Sequence, residues 1–319
     1  MIQTGGGKFD PDEPFVFFMA ASASVFQMVE VGRYEHLLVP IGKTGEQRQL
    51  ESLLDGKIFL DSGIFSLAAA HARKHGMLVN EAFTLAPDQV DGFDALLSRY
   101  IDLARKLGPR LWGYVELDLG GADNKRRMRR YLEDQGLRPI PVYHPLADGW
   151  DYLDELLDEY DRVCISNLAR SSQEARKQIL LMVWERVRRH HNKPWIHLLG
   201  LSASQILLSL PFNSCDSASL AYSLQYGSDM QMGRAMMGNF SQLGDKGYSY
   251  DQSVPSDEER GTPKAGKIVS LLALSELRCW RRIWDDLETA IGPMPLYPEP
   301  FPLELDVRRA TTGLGPLVR

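Results

Sequence analysis

Lys57-Ile58-Phe59-Leu60-Asp61-Ser62-Gly63-Ile64-Phe65-Ser66 is the stretch that decides the fold. A short apolar run that stops at Asp-Ser-Gly reads as a buried strand carrying a carboxylate to its C-terminal edge. Gly63 lets the backbone turn there and lets a ligand come close. Phe212-Asn213-Ser214-Cys215-Asp216-Ser217 repeats the pattern, as a strand over 212–215 ending at Asp216. Two carboxylates at two strand ends suit attack at a sugar carbon, one as nucleophile and one handling protons.

Outward from Asp61 the chain alternates. Upstream, residues 15–20 and 36–41 are candidate strands. Downstream, Phe93–Leu107 has helical periodicity through Phe93, Leu96, Leu97, Tyr100, Ile101, Ala104 and Leu107, and Gly108-Pro109 stops it. Strands are expected over 111–117, ending at Asp118; 139–143, ending at His144; 162–165, ending at Ser166-Asn167; and 194–199, ending at Gly200. Helices are expected over 124–135, 150–160, 171–191 (with Ser171 as cap and Glu174 in the first turn) and 203–210.

Such units imply a parallel sheet with helices outside. Polar residues recur at the strand ends: Asp61, Asp118, His144, Asn167 and Asp216. A (β/α)8, TIM-like barrel keeps its active site at that rim. A doubly wound open sheet fits the alternation too, but gathers its chemistry at one switch point. The barrel is the favoured reading, over residues 1–245, with its eighth strand assigned to the stretch holding Met230, Met232, Met236 and Met237. Residues 246–319 are expected to pack on it as a loop, a C-terminal helix over 268–291 and a tail.

Composition bounds the function. Of 319 residues, 44% are hydrophobic and 24% charged, which describes an ordinary globular chain. The net charge of -6 argues against a protein that coats polyanions, though a local basic patch remains compatible with it. Cys164, Cys215 and Cys279 form no CxxC pair and no zinc site with the seven histidines, so no metal and no cofactor are expected. Sparse cysteines fit a reducing cytoplasm, and Met1-Ile2-Gln3-Thr4 before three glycines does not read as a signal peptide. No apolar run reaches membrane-spanning length, so no membrane partner is expected.

The motifs together resemble the tRNA-guanine transglycosylase superfamily, and most of all the phage-type DNA 7-deazaguanine transglycosylases. The resemblance runs from about Lys57 to Tyr222. Leu60-Asp61-Ser62-Gly63-x-Phe65 is similar to the general-base motif. Glu116-Leu117-Asp118 stands where the family has its base-reading aspartate. Pro141-Val142-Tyr143-His144 replaces a Val-Gln-Gly segment, and Ile165-Ser166-Asn167-Leu168-Ala169 resembles the Ile-Gly-Gly-Leu-Ala wall of the base pocket. His197-Leu198-Leu199-Gly200 resembles the strand before the nucleophile, and Ser214-Cys215-Asp216-Ser217-Ala218-Ser219-Leu220 the DNA-type nucleophile motif. Two departures stand out: the zinc subdomain's clustered cysteines are absent, and Ser166-Asn167 replaces Gly-Gly.

The resemblance implies exchange of guanine in DNA for a free 7-deazaguanine base, in the cytoplasm of a host cell if the chain is phage-encoded. Asp216 would be the nucleophile and Asp61 the acid–base group. Asp118, His144, Ser166, Asn167, Leu168, Ser62, Gly63 and Gly200 would contact the base. Without the zinc subdomain the family's tRNA-binding insert is expected to be missing; the tRNA-directed enzyme, a nucleosidase or N-glycoside hydrolase, and a non-catalytic nucleic-acid-binding barrel are the competing functions. For phosphates, Lys125, Arg126, Arg127, Arg129 and Arg130 form the expected basic patch, against the plainer reading of a solvated helix face. Arg278, Arg281 and Arg282, among Trp280 and Trp284, are a second candidate.

Overall fold

The computed structural model describes residues 1–13, 16–20, 36–41, 57–168, 172–201 and 212–217. Eight short strands are present: β1 (Val16–Ala20), β2 (His36–Pro40), β3 (Lys57–Asp61), β4 (Leu111–Tyr114), β5 (Val142–Tyr143), β6 (Arg162–Ile165), β7 (Trp195–Leu198) and β8 (Ser214–Ser217). All pair in parallel in one sheet, ordered β4-β3-β2-β1-β8-β7-β6-β5. Beyond β4, Val115 bridges Ile140 in parallel. Glu116 N–H donates to the Ile140 carbonyl at 3.0 Å and Ile140 N–H to the Tyr114 carbonyl at 2.8 Å. The two ends of the strand order are therefore linked through backbone hydrogen bonds.

Among the described residues six α-helices accompany the sheet: α1 (Ile64–His75), α2 (Val79–Thr84), α3 (Phe93–Leu107), α4 (Gly121–Asp134), α5 (Trp150–Glu159) and α6 (Gln173–Arg189). The period of two along each strand sorts the core into two layers. One layer takes Val16, Phe18, Leu38, Phe59, Trp112, Val142, Cys164 and Trp195, one face of seven strands. The other takes Leu37, Val39, Ile58, Leu60, Val163, Ile165, Ile196, Leu198 and Cys215 and meets the helices. In α3 the buried side chains are Phe93, Leu96, Tyr100, Ala104 and Leu107, a spacing of three and four that keeps one stripe on the sheet.

Arg162, at the start of β6, closes the N-terminal side of the sheet. It is buried, and it donates from Nε to Thr4 Oγ1 at 2.5 Å, from Nη1 to the Trp112 carbonyl at 2.5 Å and from Nη2 to the Thr4 and Gly5 carbonyls at 2.8 Å. Its guanidinium lies 4.2 Å from the centre of the Phe9 ring. The N-terminal segment is thus fastened across the strand starts, away from the strand ends that carry Asp61 and Asp216.

Several expectations change. Asp216 lies inside β8, not beyond its end, because the strand runs to Ser217. The eighth strand is complete by residue 217, so the Met-rich stretch is not required to supply it. Ser172, not Ser171, caps α6: its Oγ accepts from Ala175 N–H at 3.2 Å. The sequence reading contains neither α1 nor α2; α1 buries Ile64, Ala68, His71 and Ala72, and meets Ala82 of α2 through the two alanines, a weak hydrophobic stripe. The helix expected over 203–210, the Met-rich stretch, Arg278, Arg281 and Arg282, and the whole of 246–319 lie outside the described residues. Among the described residues no helix is long and apolar enough to cross a membrane.

Candidate active site

The face of the sheet that buries Phe59, Val142, Cys164 and Trp195 continues, two residues on, to Asp61, His144, Ser166 and His197. On β8 the same alternation carries Ser214 and Asp216. Period two and parallel register bring polar side chains from separate strands to one end of one face.

Asp61 closes β3. The turn after it depends on Gly63, whose φ of 77° is left-handed and whose missing Cβ would lie 2.6 Å from the Ile41 carbonyl oxygen. That turn brings the backbone N–H groups of Ser62 and Gly63 to the Asp61 carboxylate. Burial nevertheless dominates, and with the charges of Asp118 and Asp216 it pushes the Asp61 carboxyl up to about 7. Ser62 is buried, and its Oγ accepts from Ile64 N–H at 3.4 Å.

Asp216 is buried; its Oδ1 accepts Gly200 N–H at 2.8 Å and lies 3.2 Å from His197 Nε2. His197 Nδ1 lies 2.8 Å from Ser214 Oγ, which also accepts from Trp195 Nε1 at 2.7 Å. The His197 ring is wedged edge-on against Phe18 and Phe59, at 5.7 and 4.9 Å between centres. Glycine at position 200 adopts φ 67°, which orients its N–H.

Asp118 and His144 form a buried pair, Oδ2 to Nε2 at 2.8 Å. The loop after β5 is tied by Asp148, whose Oδ2 accepts from His144 N–H at 2.8 Å and pairs with Lys125 Nζ. Lys125 also donates to the Val142 carbonyl at 2.8 Å. Phe83 meets His144 edge-on at 6.3 Å, and Phe65, 57% exposed, lies 6.2 Å from Phe83. These two rings supply an aromatic face beside the Asp118–His144 pair.

The remaining expected contacts divide. Asn167 is exposed at the end of β6, with a left-handed φ of 65° that non-glycine residues seldom adopt. Ser166 is partly exposed, and its N–H belongs to the Tyr143 carbonyl at 3.0 Å. Leu168 is buried, and its side chain packs in the helix-side core. Gly200 serves Asp216, so its N–H is not free for a base. His144 directs Nε2 to Asp118, which leaves only Nδ1 for a ligand.

The basic patch is a correction. Lys125 and Arg129 are buried, at 0% and 2% exposure. Arg129 donates to Glu116 Oε2 at 2.8 Å, Tyr152 Oη at 3.0 Å and Tyr160 Oη at 2.9 Å, while Glu116 Oε1 accepts Val142 N–H at 2.6 Å. Arg126 is held by Glu155 and Asp123. Only Arg127 and Arg130 of the five are exposed, and Arg130 lines a cleft of about 500 Å³ together with Glu133, Glu155, Asp158 and Glu159. Spacing of 3.6 residues turns Lys125 and Arg129, four apart, inward, where the buried acids Asp148, in the loop after β5, and Glu116, just beyond β4, receive them.

The histidine–aspartate trio His71, His75 and Asp91 was also not foreseen. It is satisfied internally: His71 Nδ1 accepts Asp91 N–H at 3.1 Å, and Asp91 Oδ2 meets Lys74 at 2.7 Å and His75 at 2.8 Å. Beside Asp216, His197 is a residue to which the sequence pattern gives no role. Its signal was a lone imidazole in the apolar strand Trp195-Ile196-His197-Leu198, in phase with the inward Trp195.

No protein-family model matches this chain, and no curated protein matches it significantly.

Proposed function

We propose that the chain is a (β/α)8-barrel transglycosylase that exchanges guanine in DNA for a 7-deazaguanine base through a covalent aspartyl–sugar intermediate. The observation that carries the reading is the contrast between two carboxylates in one site. Oδ1 of Asp216 accepts Gly200 N–H and faces His197 Nε2, contacts that suit a nucleophilic carboxylate, while Asp61 is held near 7 and so exists in both protonation states at neutral pH. The motif order of the sequence gives the same assignment, and the hydrogen-bonded link between β4 and residue 140 supports closure of the sheet into a barrel.

In the first half-reaction an oxygen of Asp216 bonds to C1′ as the bond from C1′ to guanine N9 breaks. The electron pair leaves with N9, and protonated Asp61 supplies the proton that neutralises the departing base. Asp61, now a carboxylate, takes the proton of the entering 7-deazaguanine as its N9 attacks C1′. The ester to Asp216 breaks, and its bonding pair returns to the carboxylate. Two inversions give net retention, with no external reagent consumed.

Asp118 is the base reader. With Oδ2 taken by His144, Oδ1 accepts from the N1–H and amine edge shared by guanine and its deaza analogues. Phe65 and Phe83 offer a stacking face for a base withdrawn from its helix. The DNA backbone must be met by groups other than Lys125 and Arg129. The test is incubation of DNA with isotope-labelled guanine or a cyano-deazaguanine, followed by nucleoside mass spectrometry. Label entering the polymer supports exchange; release of free base and an abasic sugar with no entry refutes it in favour of hydrolysis.

A further inference from the structure

We propose that His197 is the positioning residue of the nucleophile. Through an Nε2–H it ties down Oδ1 of Asp216 and so designates Oδ2 as the attacking oxygen. The inference rests on the transglycosylase reading above, but the hydrogen-bond geometry from which it starts does not.

The Nε2 proton follows from what each ring nitrogen faces: Nε2 meets a carboxylate oxygen, which accepts, and Nδ1 meets a hydroxyl, which can donate. Trp195 Nε1 is only ever a donor, so at 2.7 Å it uses a lone pair of Ser214 Oγ. The Ser214 hydroxyl proton is then available for the imidazole, 2.8 Å away at Nδ1. An Nδ1 that accepts leaves the ring proton on Nε2, and Nε2 faces Asp216 Oδ1 at 3.2 Å. Every group in this relay is buried: Trp195, Ser214, His197 and Asp216 are all below 8% exposure. The opposite tautomer would set a bare Nε2 lone pair against a carboxylate oxygen. Phe18 and Phe59 clamp the ring edge-on, so it cannot turn away to water.

The consequence is an asymmetric carboxylate. Both Gly200 N–H and His197 Nε2–H go to Oδ1, and among the described residues no donor is recorded on Oδ2. An oxygen that keeps its lone pairs unshared is the better nucleophile. In the glycosyl ester Oδ2 becomes the bridging oxygen and Oδ1 the carbonyl, still accepting the same two N–H groups. When the entering base displaces the ester, negative charge returns to an oxygen already facing its donors, which stabilises the second transition state without rearrangement.

Three variants and one spectrum test this. His197→Phe keeps a ring against Phe18 and Phe59 but removes the donor. His197→Gln places an amide N–H near the Nε2 position. Ser214→Ala removes the acceptor that fixes the tautomer. His197→Phe is expected to lower kcat for base exchange roughly 100-fold with KM for the free base within about twofold, as loss of one donor to a charged oxygen does. His197→Gln should recover at least about tenfold of that loss, and Ser214→Ala should fall between. Folded His197→Phe with wild-type kcat overturns the proposal, and so does His197→Gln that is as inactive as His197→Phe. Independently of activity, long-range nitrogen–proton correlation spectra of the wild type should report His197 with its proton on Nε2; a proton on Nδ1 overturns the proposal. Absence of any exchange by a wild type that shows the Nε2–H tautomer defeats the transglycosylase reading and leaves the anchoring of Asp216 standing.

Discussion

Replacing Asp61 by asparagine should make the protein more stable, and the gain should depend on pH. The folded protein holds the Asp61 carboxyl at about 7 against a model value of 3.8. Its folded pKa is raised, so the group's contribution to stability is fully present below 3.8 and is lost as pH rises through 7. Folding above pH 7 forces a carboxylate into a poorly hydrated site beside Asp118 and Asp216. The displacement corresponds to about 4 kcal/mol across the whole range, of which about 2.5 kcal/mol falls between pH 5 and pH 8.5. These are ceilings, since Asp61 is partly exposed and water screens part of the repulsion. Asp61→Asn keeps the shape and cannot ionise. Urea unfolding of both proteins at pH 5, 7 and 8.5 should show the variant gaining on the wild type as pH rises, while its base exchange is lost. A stability difference that is flat between pH 5 and 8.5 refutes the argument that Asp61 is held protonated by its surroundings.

Three further outcomes follow from the same contacts. Arg129→Met should destabilise the fold by about 3–5 kcal/mol by thermal or urea unfolding, because Glu116 is left buried without its cation; an unchanged midpoint would contradict the internal role given to Arg129. Gly63→Ala should cost roughly 1–3 kcal/mol and distort the Asp61 turn, from its left-handed φ and the Ile41 carbonyl at 2.6 Å from the added methyl; wild-type stability and exchange together would show that the turn tolerates a side chain. Arg127→Gln combined with Arg130→Gln should leave DNA affinity and its salt dependence nearly unchanged, measured by fluorescence anisotropy over a salt series; a flattened salt slope would restore these two cations to the phosphate interface.

The strand–helix alternation was readable because each unit carries its own signal. Phe93–Leu107 repeats apolar residues at helical spacing and ends at Gly-Pro, and α3 has those bounds. Asp61 was readable because an apolar strand ends abruptly on it. Asp216 was noticed for the same reason, although β8 runs past it to Ser217. Helix α1 was missed because its buried side chains include only Ile64, Ala68, His71 and Ala72, too small a stripe to stand out. The Lys125–Arg130 run misled for a different reason. Charge density along a sequence does not say which side of a helix is wet, and the acids that draw Lys125 and Arg129 inward, Asp148 and Glu116, lie 23 and 13 residues away. His197 was passed over because its value comes from Asp216 and Ser214 across a strand pair, a relation set by register and not by spacing within one segment.

The most direct test of the account is intact-protein mass spectrometry of a denatured reaction between this protein and a guanine-containing DNA oligonucleotide, without an entering base. Wild type should carry a covalent adduct equal in mass to the oligonucleotide less one guanine, mapping to the peptide that contains Asp216. Asp216→Asn should carry none while remaining folded. An adduct of that mass on Asp216→Asn, or on any other residue of the wild type, contradicts the assignment of Asp216 as the nucleophile.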